Sequence, residues 1–256
     1  MRILILLLFV CGSFTLFAQQ SIDASEVIAM IDDGKEVSLN NVTIKGDLDF
    51  TKVADRERDN NKNWGKQPSY RCHVRSRVSF TDCVFEGEVV GYLNTKDGKW
   101  NLGGDNGELY NADFHETVAF KACTFREKVN FKYTRFYEGA DFSESRFGDP
   151  TVFKYTRFDE YANFSRVRMA QKVTFKYTGF PDGADFSYAQ FSGDAVFKYV
   201  KFKRGVNMAH ADFSGRADFK YSQFEGNVDI TDTDWGRSPD FKYTQMNGRK
   251  FRGGKG

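Results

Sequence analysis

The stretch FKYTRFYEGADFSESRFGDPTV, residues 131–152, is followed directly by FKYTRFDEYANFSRVRMAQKVT, residues 153–174, and the two align without a gap. The tripeptide Phe-Lys-Tyr returns every 22 residues, beginning at positions 131, 153, 175, 197, 219 and 241. Self-similarity at a fixed period of this length is typical of repeat architectures, in which each unit packs on the next. The 22-residue segment is therefore the structural unit of this chain.

Large apolar residues occur within this unit at alternating intervals of five and six residues. The series runs without a break from Leu109 to Met246, and most of its members are Phe. A small or β-branched residue precedes nearly every member by two positions, as Ala140 precedes Phe142. A helix has a period of 3.6 and a long strand a period of 2, so neither fits. The spacing predicts short extended segments that point one small and one large side chain inward before turning a corner.

Each 22-residue unit contains four of these large residues, counting the Phe of Phe-Lys-Tyr, so we expect coils of 22 residues with four faces. Leu39, Ile44 and Phe50 show the same spacing and predict the start of the first coil. The arrangement explains why 27 of the 256 residues are Phe, because the same few inward positions recur in every coil. The predicted fold class is an all-β solenoid.

These units resemble those of the pentapeptide-repeat family, in which a small residue is followed by Asp or Asn, then Leu or Phe, then two variable residues. The resemblance covers about residues 39 to 246 and rests on units such as Ala140-Asp141-Phe142, Ala162-Asn163-Phe164, Ala184-Asp185-Phe186, Ala211-Asp212-Phe213 and Ala217-Asp218-Phe219. It implies a right-handed quadrilateral β-helix. The family's plain form repeats every five residues, so the alternation here predicts an extra residue at every second corner.

The N-terminal residues predict export and a covered end. Residues 1–18 have the basic start, apolar core and small final residue, Ala18, of a secretory signal peptide. We expect a periplasmic or extracellular protein with no membrane span after cleavage. Residues 19–38 predict a segment with a short capping helix, begun by a capping box of Asp23 and Glu26 and ended near Gly34.

The β-helix is predicted to occupy residues 39–248, with insertions at 52–73 and 92–108, and to be followed by a basic flexible tail at 249–256. Insertions on repeat proteins often carry binding residues. Trp64 and Trp100 are candidates because a Trp in a loop needs a packing partner or a ligand. The alternative is that both loops fold over the solenoid wall with their Trp residues packed against it.

Two outward columns follow from the 22-residue period. One consists of Lys132, Lys154, Lys176, Lys198, Lys220 and Lys242, and the other of Tyr133, Tyr155, Tyr177, Tyr199, Tyr221 and Tyr243. Such columns could bind a polyanion, with the Tyr rings as a stacking surface. Duplication of a structural repeat also produces such columns without any ligand. Glu138, Glu160 and Asp182 are predicted at the following corner, where they could neutralise the lysines.

No catalytic or metal-binding motif is recognisable, and no cofactor is expected. His73, His115 and His210 are scattered along the chain and are interpreted as surface residues. Cys72, Cys83 and Cys123, the cysteines beyond the signal peptide, are interpreted as buried thiols, with one bridge and one free thiol as the alternative. The column Asp141, Asn163, Asp185, Asn207 and Asp229 is expected to hydrogen-bond the corner backbone.

The nearly balanced charge, 37 Lys and Arg against 35 Asp and Glu, argues against a nucleic-acid partner. Some pentapeptide-repeat proteins mimic DNA and protect gyrase, which does not fit a slightly basic exported chain. The leading hypothesis is a non-enzymatic exported scaffold that contacts a protein or glycan of the cell envelope, with end-to-end stacking of copies as a further expectation. The alternatives are a binder of anionic polysaccharide through the Lys and Tyr columns, and a polysaccharide-processing enzyme with a cleft of acids and bases beneath an insertion.

Overall fold

The structure, a computed structural model, describes residues 20–60, 67–97, 107–236 and 239–251. The predicted signal peptide, Trp64, Trp100 and the last five residues of the predicted tail lie outside the described residues. In the part of the chain that is described, no helix is long and apolar enough to cross a membrane.

The chain winds into a four-sided β-helix whose walls are four sheets of parallel strands, with an antiparallel strand added at three places in one wall. Wall A contains β1 (Gln20–Asp23), β3 (Val42–Lys45), β8 (Val84–Phe85), β13 (Thr124–Phe125), β17 (Arg146–Phe147), β21 (Arg168–Met169) and β25 (Gln190–Phe191). Wall B contains β2 (Val37–Asn40), β7 (Val78–Thr81), β12 (Val118–Lys121), β16 (Ala140–Asp141), β20 (Ala162–Asn163), β24 (Ala184–Asp185), β28 (Gly205–Asn207) and β31 (Asn227–Asp229).

Wall C contains β4 (Leu48–Asp49), β9 (Val89–Val90), β14 (Val129–Asn130), β18 (Thr151–Val152), β22 (Val173–Thr174), β26 (Ala195–Val196) and β29 (Ala217–Asp218). Wall D contains β5 (Arg56–Arg58), β6 (Ser69–Val74), β10 (Tyr92–Asn94), β11 (Leu109–Phe114), β15 (Arg135–Phe136), β19 (Arg157–Phe158), β23 (Gly179–Phe180), β27 (Lys201–Phe202), β30 (Gln223–Phe224), β32 (Gln245–Met246) and β33 (Arg249–Lys250). One coil visits walls C, D, B and A in that order.

The register confirms the predicted coil of 22 residues. Arg135 pairs with Arg157, and Ala140 pairs with Ala162, so each residue lies beside its counterpart in the next coil. The predicted inward positions are buried from Leu109 to Phe224, including Thr134, Thr156 and Thr178, whereas Leu39, Ile230 and Met246 nearer the ends are partly buried. The hydroxyl of Thr156 donates to the carbonyl of Phe131 at 2.7 Å, which satisfies this buried polar group between coils.

Phenylalanine rings fill the interior in columns. The ring centroids of Phe136 and Phe158 are 4.8 Å apart and nearly parallel, and those of Phe158 and Phe180 are 5.1 Å apart. Within a coil the rings meet edge to face, as Phe136 and Phe142 do at 6.1 Å and 90°. Both geometries are favourable for aromatic pairs. The core is therefore a repeated aromatic stack, which explains the composition.

The two kinds of corner differ by the predicted extra residue. Two residues separate Phe131 from the inward Thr134, whose amide donates to the carbonyl of Phe131 at 3.2 Å. Tyr133 lies in this turn with a φ of 60°, as the third residue of a type II turn requires. Three residues separate Phe136 from the inward Ala140, so the next corner is wider.

Both ends of the solenoid are covered. Helix α1 (Ala24–Asp32) begins at the predicted capping box, in which Asp23 accepts from the backbone of Ser25, and it buries Val27, Ile28 and Ile31. At the other end β33 turns back to pair with β32, and Phe251 packs edge to face on Phe241 at 4.8 Å. The segment predicted to be flexible from residue 249 therefore starts with a strand that covers the last coil.

The first insertion ends earlier than predicted. Strand β6 (Ser69–Val74) already pairs with β11 in parallel, although residues 69–73 were expected in the first insertion. Strand β5 pairs with β6 in antiparallel fashion, and β10 pairs with β11 in the same way. An extended segment that lies beside an unpaired strand edge gains backbone hydrogen bonds when it pairs with that edge. This is why both insertions add a strand to wall D.

Candidate functional site

The predicted columns lie side by side at the corner between walls C and D. We call them the Lys/Tyr ladder, which consists of Lys132, Tyr133, Lys154, Tyr155, Lys176, Tyr177, Lys198, Tyr199, Lys220, Tyr221, Lys242 and Tyr243. Each Tyr adopts a φ between 60° and 63° in its turn. Centroids of successive Tyr rings are 4.6 to 4.9 Å apart, with interplanar angles of at most 20°.

The stacking changes what the ladder can offer a ligand. The ring faces of Tyr155, Tyr177 and Tyr199 are covered by the rings of neighbouring coils. The expectation that Tyr faces provide a stacking surface is therefore wrong for the interior of the ladder, because the spacing between coils matches the thickness of a ring. A ligand would meet ring edges and phenol hydroxyls beside the ammonium groups.

The lysines mostly lie over their own tyrosines. The ammonium nitrogens of Lys154 and Lys176 are 4.9 and 5.0 Å from the centroids of the following Tyr rings. Lys132 also lies 4.3 Å from the centroid of Tyr92, and burial, followed by repulsion from Lys154, lowers its pKa. Over Lys132 to Lys198 the ladder is a row of ammonium groups above aromatic rings.

The expected neutralisation by corner carboxylates is not observed in the described chain. Asp182 binds the guanidinium of Arg204 at 2.5 Å. Of the ladder lysines, Lys220 alone has ion pairs among the described residues, with Asp240 at 3.0 Å and Asp218 at 3.7 Å. Most of the ladder is therefore a cationic stripe.

A cleft of about 650 Å³ opens on wall D beside the first coils of the ladder. One side is the segment 55–60, which contains β5 and which we call the strap, and the other side is the wall itself. The side chains that line it carry opposite charges and aromatic rings: Glu57, Arg58, Asp59, Arg71, His73, Asp113, Tyr133, Arg135, Tyr137, Tyr155 and Arg157. Its volume is in the usual range for small-ligand sites.

Ion pairs neutralise most of the charges in the cleft. Arg71 binds Asp113 at 2.9 Å and Asp59 at 3.3 Å, so it joins the wall to the strap. Arg135 and Arg157 both bind Asp159. Burial raises the pKa of Asp113 even though Arg71 opposes this shift. The cleft is a preorganised polar network and has no large excess of either charge.

His73 and His115 meet at the edge of this cleft, so their interpretation as scattered surface residues is wrong. His73 Nδ1 and His115 Nε2 are 2.9 Å apart, and His73 Nε2 lies 3.5 Å from a carboxylate oxygen of Glu57 in the strap. The His115 ring also stacks on Tyr137 at 4.7 Å. Burial, followed by the proximity of His73 and Arg75, lowers the pKa of His115. His210 is exposed, as expected, and lies 3.7 Å from Asp232.

A signal for the His pair was present in the sequence. Cys72-His73-Val74 has the small, variable, large pattern of Ala112-Asp113-Phe114, and the structure pairs these segments residue by residue. That alignment places His115 directly after the inward Phe114 in the next coil, close to His73. The 40-residue offset, in place of 22, conceals the relationship.

The other predicted positions are structural. Asp141, Asp185 and Asp229 each accept a hydrogen bond from the backbone amide two residues later, at 2.8, 2.7 and 3.0 Å, as expected for corner residues. Within the described ranges, no cluster of three His, Cys, Asp or Glu residues could hold a metal ion.

The repeat itself relates the chain to known sequences. The family model described as "Pentapeptide repeats (9 copies)" matches residues 109–155, 131–179, 153–201 and 175–223 in overlapping windows. Neither a search of curated proteins nor a search of solved structures found a significant match. The matched windows coincide with the coils that stack in the 22-residue register described above. Over residues 109–223 the chain therefore consists of pentapeptide repeats, as its sequence resemblance implied.

Proposed function

We propose that this protein is an exported, non-enzymatic pentapeptide-repeat scaffold that contacts a component of the cell envelope through the Lys/Tyr ladder. The observation that carries the proposal is the continuity of the ladder, in which six Lys and six Tyr recur at one position per coil along a single corner. A rigid corner of this kind holds the backbone of its side chains at a fixed spacing, which lowers the entropy lost on binding.

The charge of the ladder favours an anionic partner. Lys154, Lys176 and Lys198 lie over aromatic rings and have no carboxylate partner among the described residues. Their charges therefore remain available to a polyanion, at the cost of mutual repulsion that such a partner would relieve. An acidic polysaccharide of the envelope is the second candidate, and it would use the same surface as a protein partner.

The cleft contains acids and bases beneath an insertion, as the enzyme hypothesis requires. Of the carboxylates that line it, Asp113 and Asp59 are bound by Arg71, and Glu57 is exposed and lies 3.5 Å from His73. The Asp113 carboxylate is already bound on both oxygens, by the guanidinium of Arg71 and by the backbone amide of Arg135. This supports a non-enzymatic role.

The proposal is tested with the triple variant Lys154→Glu, Lys176→Glu and Lys198→Glu. The control variant carries the same change in charge on exposed lysines away from the ladder: Lys121→Glu, Lys172→Glu and Lys203→Glu. Wild type and control are expected to be retained on a column of immobilised anionic polysaccharide and to elute as the salt concentration rises. The ladder variant is expected to pass through the column without being retained. Cross-linking in envelope extract then compares the three proteins. Equal cross-linking and equal retention of both variants would contradict a role for the ladder.

Export is tested separately by N-terminal sequencing of the protein recovered from its native host. A chain that begins at Gln19 is expected, since cleavage follows Ala18 in the predicted signal peptide. An intact Met1 in a cytoplasmic fraction would contradict export and leave the binding test unaffected.

A further inference from the structure

Two of the three described cysteines lie on neighbouring coils of wall A. Cys83 precedes β8 and Cys123 precedes β13, and these strands pair in parallel with Thr124 beside Val84. The amide of Thr124 donates to the carbonyl of Cys83 at 2.8 Å, so the two backbones are in direct contact at this position. Adjacent strands are about 4.8 Å apart, which is within the range of Cα separations that a disulfide spans.

Their side chains point into the same interior column. Both residues are buried and occupy the inward small position, two residues before Phe85 and Phe125, whose rings stack at 4.8 Å. Both are thiols in the structure, and each donates to backbone carbonyls: Cys83 to those of Leu39 and Thr81, and Cys123 to those of Phe80 and Lys121. The proximity of the two thiols lowers the pKa of Cys83 and raises the pKa of Cys123. A thiolate at Cys83 is therefore favoured, and it is the thiolate that reacts in disulfide exchange.

Among the described residues, Cys72 has no cysteine beside it on an adjacent coil. It lies on wall D between Arg56 and Ala112 in the register of the strands, and its thiol donates to the carbonyl of Thr51 at 3.3 Å. Burial raises its pKa to about 11, so it is a poor nucleophile.

We infer that Cys83 and Cys123 form a disulfide that joins two successive coils when the chain folds in the presence of a disulfide oxidant, and that Cys72 remains a thiol. The Cys83 thiolate attacks one sulfur of a small disulfide such as oxidised glutathione and releases one glutathione thiol. The Cys123 thiolate then attacks the Cys83 sulfur and releases the second. The two cysteines lose two electrons and two protons, and two glutathione thiols are formed.

The bond would close the chain around the second insertion. Cys83 and Cys123 are 40 residues apart (123 minus 83), and the insertion at 92–108 lies between them. The inference does not rest on the proposed partner of the ladder, since it concerns wall A. It explains why a column otherwise made of Val42, Ser145, Val167 and Ala189 has two thiols on adjacent coils.

Peptide mapping tests the inference on the full chain. The reduced protein is refolded in a mixture of oxidised and reduced glutathione, alkylated under denaturing conditions and digested with trypsin. The three cysteines then fall in separate peptides, 72–75, 78–96 and 122–126. The expected product is 78–96 linked to 122–126, with 72–75 alkylated. Alkylation of all three peptides, or a link that involves 72–75, would overturn the inference.

Variants and melting provide the controls. Cys72→Ser is expected to keep the link, whereas in Cys83→Ser the link must disappear and Cys123 must become alkylated. The oxidised wild type is expected to melt on the order of 5–10 °C above the reduced protein, because the bond restricts a long loop of the unfolded chain. An unchanged melting temperature would show that the disulfide does not stabilise the fold. Loss of the link in Cys72→Ser would show that Cys83 and Cys123 are not the bonded pair.

Discussion

At the residue scale, the most unusual feature is a tyrosine in the left-handed region of φ at one corner of each coil along the ladder. For a residue with a side chain, this conformation costs roughly 1–2 kcal/mol relative to the right-handed region. Glycine would avoid that cost, as it does in most type II turns. In this protein the Tyr rings stack on one another and carry the ammonium groups, so contacts along the ladder offset the backbone strain. Tyr177, with neighbours at 4.8 and 4.6 Å, is a representative case.

Replacement of Tyr177 separates the two effects. Tyr177→Ala removes the stacking and keeps a side chain at a φ of 63°, whereas Tyr177→Gly removes both the stacking and the strain. We expect the Gly variant to be more stable than the Ala variant by about 1 kcal/mol, as measured by urea unfolding. An Ala variant as stable as the Gly variant would show that the turn is not strained.

At the element scale, the strap is attached to wall D by polar contacts. Strand β5 pairs with β6, Arg75 binds Asp55 at 2.6 Å, and Glu57 lies near His73. The sequence indicated an insertion at this place. It did not indicate that the strap covers a His pair, because that contact joins segments 42 residues apart.

The His pair makes the stability of this region depend on pH. The pKa of His115 is below its usual value in the folded protein. As the pH falls, His115 is therefore protonated at a higher pH in the unfolded chain than in the folded protein. The free energy of unfolding is therefore expected to decrease as pH falls from about 6.5, the usual pKa of His, toward the lower folded value. Urea unfolding between pH 7.5 and 5 should show a weaker pH dependence for His115→Gln than for wild type.

His210→Gln serves as the matched control for this experiment. His210 is exposed and lies near Asp232, away from the strap. Arg75, Asp55, Arg135 and His73 are the charged or titratable neighbours of His115, and they are unchanged in both variants. If the free energy of unfolding of both His115→Gln and His210→Gln changed with pH as it does in wild type, the role assigned to the His pair would be refuted.

At the scale of the whole molecule, stability is a sum of contacts between successive coils. A residue in a central coil has neighbours on both sides, whereas a residue in the last coil has one coil and the C-terminal cover. Phe158 stacks between Phe136 and Phe180, and Phe241 stacks on Phe219 and meets Phe251. Local opening is therefore expected to begin at the C-terminal end.

Truncation of these two rings should have different consequences. Phe158→Ala is expected to lower the free energy of unfolding by about 3–5 kcal/mol, as for other fully buried Phe residues. Phe241→Ala should lower the free energy of unfolding by a smaller amount. It should accelerate hydrogen exchange mainly after residue 219, because only the last coils lose a packing neighbour. If both variants lowered the free energy of unfolding equally and accelerated hydrogen exchange along the whole chain, stability would not be a sum of contacts between successive coils.

Much of the architecture was predictable from the sequence. The alternation of five and six residues predicted the inward Phe columns and the wider second corner, and the 22-residue period predicted which side chains align. Asp23, Glu26 and Gly34 predicted the ends of the capping helix. These features follow from local rules, since a strand alternates its side chains and each coil repeats the contacts of the last.

The contacts made by the insertions were not predictable in the same way. Where residues are inserted, the offset between coils changes from 22 to 40 or 41, as in the pairing of Val78 with Val118 and with Val37. The repeat pattern therefore does not relate His73 to His115, and it does not indicate which two of the three cysteines a bridge would join. The 22-residue period shows that the Tyr side chains align in a column, but it does not show how their rings are oriented. The stacking that covers the ring faces was therefore not predictable from the sequence.

The sequence by itself determined the coil length, the inward residues, the helical cap and the existence of the Lys/Tyr ladder, because each depends on contacts at a fixed period. Only the tertiary structure decided that the strap lies on wall D to form a polar cleft, that two histidines meet there and that two cysteines lie side by side on adjacent coils. Those contacts depend on how each insertion closes back on the solenoid, and the geometry of such closure is not encoded in a repeating pattern.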